Sequence, residues 1–291
     1  MRGITMLTIY EPQYQEGQIL SEPSFTSLHV KNTHPAWREF RILVDFHRNG
    51  EQRGRRAGIF SPKFGLKTKV PANDFIAFCV DHGEAEVCLI NPFPQIACYS
   101  YNVWMQGEIA HPGLTEVAQG LLNASGIGWD LSKTPRHDVH TLCYSNFWVG
   151  SERFWDEYVG DVLGRIASFL ESERDDPVTK RVMRGTQHTD EAPFLPFIVE
   201  RLFSTYLSLH PELTVAAYDT GDVLQYCLTD VERDIVSYMG PIVSEADASG
   251  RFSDALKNQM RLMSSICHRY GLAHFAANAH PHSGKTVVAQ A

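Results

Sequence analysis

The chain of 291 residues is long enough for one large or two modest domains, and its 43% hydrophobic and 21% charged residues are the proportions of a folded globular protein. A formal net charge of −8 argues against a nucleic-acid partner. No apolar run nears the ~18 residues of a membrane span, and the apolar part of MRGITMLTIYEP is too short for a signal peptide, so a cytoplasmic protein is expected. The six cysteines (79, 88, 98, 143, 227 and 267) form no C-x-x-C pair and mostly sit in apolar runs, which fits buried, reduced thiols.

Residues 6–10, MLTIY, read as a first strand closed by the turn residues of EPQYQEGQ. SLHVKN (27–32) is a short strand or an extended loop. PAWREFRILVDFH (35–47) has helical spacing, framed by Pro35 and by Asn49-Gly50. RNGEQRGRR (48–56) is a basic connector, either merely solvated or anion-binding. AGIFSPKF then reads as a strand that leaves the core at Pro62, and VPANDFIAFCVDHG as a helix with Asn73 or Asp74 near its start and Gly83 beyond its end. EVCLI (86–90) has the aliphatic run of a strand in a parallel sheet and stops abruptly at NPFP. Residues 114–123 form a further helix, 141–150 another strand, and 151–172 a long amphipathic helix with the stripe Phe154, Tyr158, Val162, Ile166 and Phe169. A charged, irregular linker follows (174–193), then the apolar helix FLPFIVERLFSTYLSLHP and a last strand in LTVAAYDTG. The alternation of strands and helices predicts an α/β domain over residues 1–221, a helical C-terminal extension over 222–275 and a flexible tail over 276–291.

Several motifs are excluded on spacing. SGKT (283–286) ends like a phosphate-binding loop, but Ala279 stands where that loop needs its first glycine. Histidines 137 and 140, or 274, 280 and 282, have no Cys or carboxylate at zinc spacing. G-x-S-x-G, H-E-x-x-H and G-x-G-x-x-G do not occur, so a hydrolase triad, a zinc protease and a dinucleotide fingerprint are unsupported.

The stretch 57–113 alternates apolar runs with compact polar clusters, the pattern of strand ends feeding ligand-binding loops. Lys63, after Ser61-Pro62, is placed either to reach a phosphate or to snorkel at the surface. Asn102, Trp104, Gln106, Glu108 and His111 are the densest polar-aromatic set: they suit sugar hydroxyls and CH faces, or a buried loop that satisfies its own backbone. Glu200, beside Arg201 in FIVERLF, must be paired, hydrogen-bonded or facing a cleft, where it would serve as a general base.

Three segments resemble bacterial surface-polysaccharide glycosyltransferases of the capsule and O-antigen type: FSPKFGLKT, NVWMQGEIAHPG, and YSNFWVGSERFWDEYV followed by FIVERLFSTYL. The resemblance covers roughly residues 57–210. It implies a GT-A-like, Rossmann-type sandwich with a mainly parallel sheet, a nucleotide-sugar donor, and a glycan or lipid-linked acceptor reached at the inner face of the membrane. Lys63 would then contact the diphosphate, while Asn102, Trp104, Gln106, Glu108, His111 and Asn146 would line the sugar or acceptor pocket. Glu200 would activate the acceptor. The chain lacks the Asp-x-Asp that usually holds a divalent metal in such enzymes, so no metal or other cofactor is expected. Either side chains such as Lys63 neutralise the diphosphate, or the protein binds carbohydrate or nucleotide without catalysis.

Overall fold

The computed structural model describes residues 6–31, 33–186, 192–281 and 284–286. Its centre is a six-stranded mixed sheet made of β1 (Met6–Gln13), β2 (Thr26–His29), β3 (Arg55–Ile59), β4 (Val87–Leu89), β5 (Trp148–Gly150) and β8 (Val215–Ala217). The order is β2-β1-β3-β5-β4-β8. β1 is parallel to both β2 and β3, and β4 is parallel to β8; β5 alone runs antiparallel, between β3 and β4. The expected α/β class with a mainly parallel sheet is therefore observed.

Helices cover both faces: α1 (Glu39–Arg48), α2 (Phe64–Thr68), α3 (Ala72–Asp81), α4 (Val103–Ala110) and α5 (Leu114–Ala124). Next, α6 (Glu152–Phe154) passes through a π-helical stretch, Trp155–Leu163, into α7 (Gly164–Ser172). Alternate strand residues feed opposite layers, as the pleat requires. Val87, Leu89 and Trp148 join the core under α1, α4, α5, α7 and the long helix α9 (Phe194–Leu209). Ile9, Cys88, Phe147 and Val149 join a phenylalanine-rich core with Phe60, Phe64 and Phe75 on the α2/α3 side. Trp148 stacks on Phe203 of α9 with ring centroids 5.5 Å apart. The close pairing of β3 with β5 needs Gly58, whose added Cβ would lie 2.6 Å from the Trp148 carbonyl oxygen.

Four local expectations change. β1 continues to Gln13 because its polar end is buried, not turned out: the returning loop presents the Ser21 N–H to the Glu11 carboxylate at 2.9 Å, and Ser27 Oγ donates to Gln13 Oε1 at 2.6 Å. The stretch after Tyr101 is a helix rather than a loop, capped by Asn102. Of the strand expected over 141–150, only Trp148–Gly150 pairs, since Ser145 and Asn146 have φ of +64° and +54°. The charged linker carries α8 (Pro177–Val182) and a small ribbon of β6 (Gly185–Thr186) with β7 (Ala192–Pro193). Its residues 187–191 lie outside the described ones.

The helical extension is α10 (Asp230–Ser249), capped by Thr229, and α11 (Asp254–Ala277), capped by Ser253. Its residues Val236, Met239, Val243 and Met260 share a core with Tyr99, and α11 packs on α4. Ala276 and Ala277, placed by sequence in the tail, close α11; residues 282, 283 and 287–291 of that tail lie outside the described ones. All six cysteines are free, four of them buried. His137 is a core residue rather than a metal ligand: its Nδ1 accepts the Val103 N–H at 3.3 Å, and Nε2 lies 3.1 Å from Ser208 Oγ.

Candidate functional site

The chain leaves β1 toward β2 on one side, while β3 lies on the other side of β1, which makes a topological switch point between β1 and β3. A cavity of about 930 Å³ opens there. Tyr14 comes from just beyond β1, Ser61 to Lys63 from beyond β3, and Pro92 and Phe93 from beyond β4. Tyr144, Ser145 and Asn146 precede antiparallel β5, so they reach the same edge of the sheet. Further walls come from α2, α4, α9, the C-terminal helix α11, and the segments around Gln95 and Tyr226.

Lys63 sits at the N-cap of α2, exposed, and lines the cavity, as does Arg38. One turn further on, Lys67 reaches inward and donates from Nζ to Ser145 Oγ at 2.8 Å, 6.0 Å from the Phe147 ring centroid. Burial lowers the pKa of this ammonium from its ordinary value, with Glu200 and Glu39 acting in the opposite direction. Lys69 is diverted: its Nζ donates to the Gln225 carbonyl at 2.6 Å.

Glu200, half-buried on α9, accepts the Ser145 N–H on Oε1 at 2.8 Å, and its Oε2 stands 3.8 Å from Arg201 Nη1. It thereby pins a strained segment, because consecutive left-handed Ser145 and Asn146 are costly without an external partner. Two buried groups in this segment have unmet hydrogen-bonding capacity among the described residues, Asn146 Oδ1 and the Tyr144 hydroxyl. Burial holds that hydroxyl neutral by raising its pKa above the tyrosine range. Both residues line the cavity.

Five of the sequence candidates therefore converge on one cavity: Lys63, Gln106, His111, Asn146 and Glu200. Gln106 Oε1 receives Arg201 Nη2 at 2.5 Å, and His111 stacks on Phe197 at 3.9 Å. The other three do structural work away from the lining. Asn102 caps α4 by accepting the N–H groups of Trp104 and Met105, and its Nδ2 donates to the carbonyls of Thr134 and Pro135. Trp104 Nε1 donates to Thr205 Oγ1 at 2.9 Å. Glu108 accepts the N–H of Gly113 at 2.6 Å and of Thr115 at 3.1 Å, holding the start of α5.

Lys67, Ser145 and Tyr144 were not foreseen as site residues. The four-residue spacing of Lys63 and Lys67 was the available signal, since it puts both on one helical face. Among the described residues there is no group of three or more His, Cys, Asp or Glu side chains able to hold a metal, and no helix long and apolar enough to cross a membrane. The chain matches no protein-family model, no curated protein and no solved structure.

Proposed function

We propose that this protein is a glycosyltransferase of GT-A-like architecture, moving a sugar from a nucleotide-sugar donor to a glycan or lipid-linked acceptor at the inner face of the membrane. The observation that carries this is the 930 Å³ cavity at the carboxyl ends of parallel strands, lined by basic, carboxylate, amide and aromatic side chains. Its volume lies near the top of the range for small-molecule sites. The mixed sheet, with one antiparallel strand among parallel ones, is compatible with that architecture.

In an inverting reaction the acceptor hydroxyl attacks the anomeric carbon, its proton passes to Glu200 Oε2, and the nucleoside diphosphate leaves with the electron pair of the broken bond. Oε1 stays on the Ser145 N–H throughout, which keeps the carboxylate aimed. Lys63 and Arg38, in the cavity lining, neutralise charge on the diphosphate. Because the chain has no Asp-x-Asp, a nucleoside diphosphate is expected to bind in the presence of chelator; calorimetry that finds binding only with manganese would refute this part.

The test is diphosphate release from a panel of nucleotide sugars, with thermal shift as the binding readout. Stabilisation and turnover by one donor support the transferase. Stabilisation without turnover, with any acceptor offered, would favour a carbohydrate- or nucleotide-binding protein. That alternative draws on Glu200, one of whose oxygens already serves the backbone.

A further inference from the structure

Lys67 is an inward-facing cation whose nearest polar partner is a neutral hydroxyl. Its ammonium donates to Ser145 Oγ, and no carboxylate lies within ion-pair distance of it among the described residues. Glu200 and Glu39 favour its charged form from beyond ion-pair distance, desolvation outweighs them, and an anionic ligand would supply the direct partner the ammonium lacks. The surroundings are built for a ligand. Asn146 is 9% exposed and Tyr144 3%, both line the cavity, and each keeps a buried polar atom without a hydrogen-bond partner among the described residues. The backbone that carries them is strained at two successive residues, and Glu200 holds it so.

We propose that Lys67, Asn146 and Tyr144 form a sugar-phosphate subsite on the cavity floor, in which a phosphoryl oxygen replaces Ser145 Oγ as the partner of Lys67 Nζ. Asn146 Oδ1 accepts a sugar hydroxyl and the Tyr144 hydroxyl takes the neighbouring one. This rests on the nucleotide-sugar reading and sharpens it: the phosphate joined to the sugar lies at Lys67, while Lys63 meets the outer part of the diphosphate.

Binding is then coupled to protonation. Burial lowers the Lys67 pKa in the free protein; Glu200 on α9 and Glu39 on α1 oppose that, and Lys63 and Arg38 add to it. A bound dianion raises the pKa again, so protons are taken up in the alkaline window between the lowered and the restored value.

The experiment is calorimetry of the full chain with uridine diphosphate and, separately, inorganic pyrophosphate, in two buffers of different ionisation heat, at pH values rising from neutral. The parent should take up protons on binding at alkaline pH. Lys67→Met should weaken binding roughly ten- to hundredfold and abolish the uptake. Lys67→Arg should recover much of the affinity but none of the uptake, because a guanidinium is already charged. Thermal melts establish that both variants are folded. Unchanged affinity in Lys67→Met, or uptake that persists in Lys67→Arg, would overturn the subsite. If the parent binds pyrophosphate through Lys67 but no nucleotide or nucleotide sugar, the phosphate contact stands and the nucleotide-sugar reading falls. Binding of neither ligand overturns both.

Discussion

The segments 60–69 and 101–113 look alike in sequence, each a short polar-aromatic cluster after an apolar run, yet the fold uses them in opposite ways. In the second, most of the polar atoms singled out are already satisfied within the protein. The Asn102 side chain makes four hydrogen bonds, Glu108 ties two backbone amides, and the Trp104 indole is matched by Thr205. In the first, Lys63 is an exposed part of the cavity lining and Lys67 turns inward to a lone hydroxyl. What separates a binding loop from a structural one is thus not its composition but whether its polar groups find partners without a ligand. Glu200 joins the two regions, lying on the same helix as the Arg201 that grips α4 through the Val103 carbonyl at 3.0 Å.

That contrast can be broken first at Glu200. Glu200→Gln keeps an oxygen for the Ser145 N–H but cannot take a proton, so turnover in a diphosphate-release assay should fall roughly 10²–10⁴-fold with the melting temperature nearly unchanged. A lowered melt with turnover per folded molecule intact would make Glu200 a strut for the strained segment instead. Asn102→Ala should act in the opposite sense. It strands two helix-start amides and two carbonyls, at a cost of about 2–4 kcal/mol in a denaturant melt, and should leave ligand affinity per folded molecule as it was. Loss of affinity beyond the unfolded fraction would return Asn102 to the binding site.

Lys63→Ala should weaken nucleoside diphosphate binding by about 1.5–3 kcal/mol while changing stability by less than about 0.5 kcal/mol. Equal affinity in variant and parent would leave Lys63 a surface residue.

The structural side of the comparison also has a pH signature. His137, which accepts the first amide of α4, is fully buried, and burial, with Arg136 adding, depresses its pKa from 6.5 to about 3. Its folded value lies below its unfolded value, so the unfolded chain binds the extra proton. Its contribution is complete above pH 6.5 and is lost as pH falls toward 3, by up to about 1.4 kcal/mol per unit. Denaturant melts across that window should show the decline in the parent and a shallower one in His137→Asn.

Periodicity and punctuation determined much of the architecture. The β-branched and aliphatic runs at MLTIY, EVCLI and LTVAA, the amphipathic stripe from Phe154 to Ile166, and the Pro and Gly boundaries each correspond to an observed element, because local propensity and burial agree there. Lys63 and Glu200 also stood out in sequence, as a cation after a strand end and a carboxylate in an apolar helix. Other features depended on contacts between residues far apart in the chain. Polar Glu11 and Gln13 extend β1 where a returning loop and strand β2 meet them, and the left-handed segment at Ser145 and Asn146 is held by Glu200, 55 residues from Ser145, which receives an amide. The meeting of Lys67 with Ser145 spans 78 residues and follows from the antiparallel β5 entering between β3 and β4, a pairing that no local pattern encodes. Sequence carries the groups that need partners; tertiary structure decides which of them are left for a ligand.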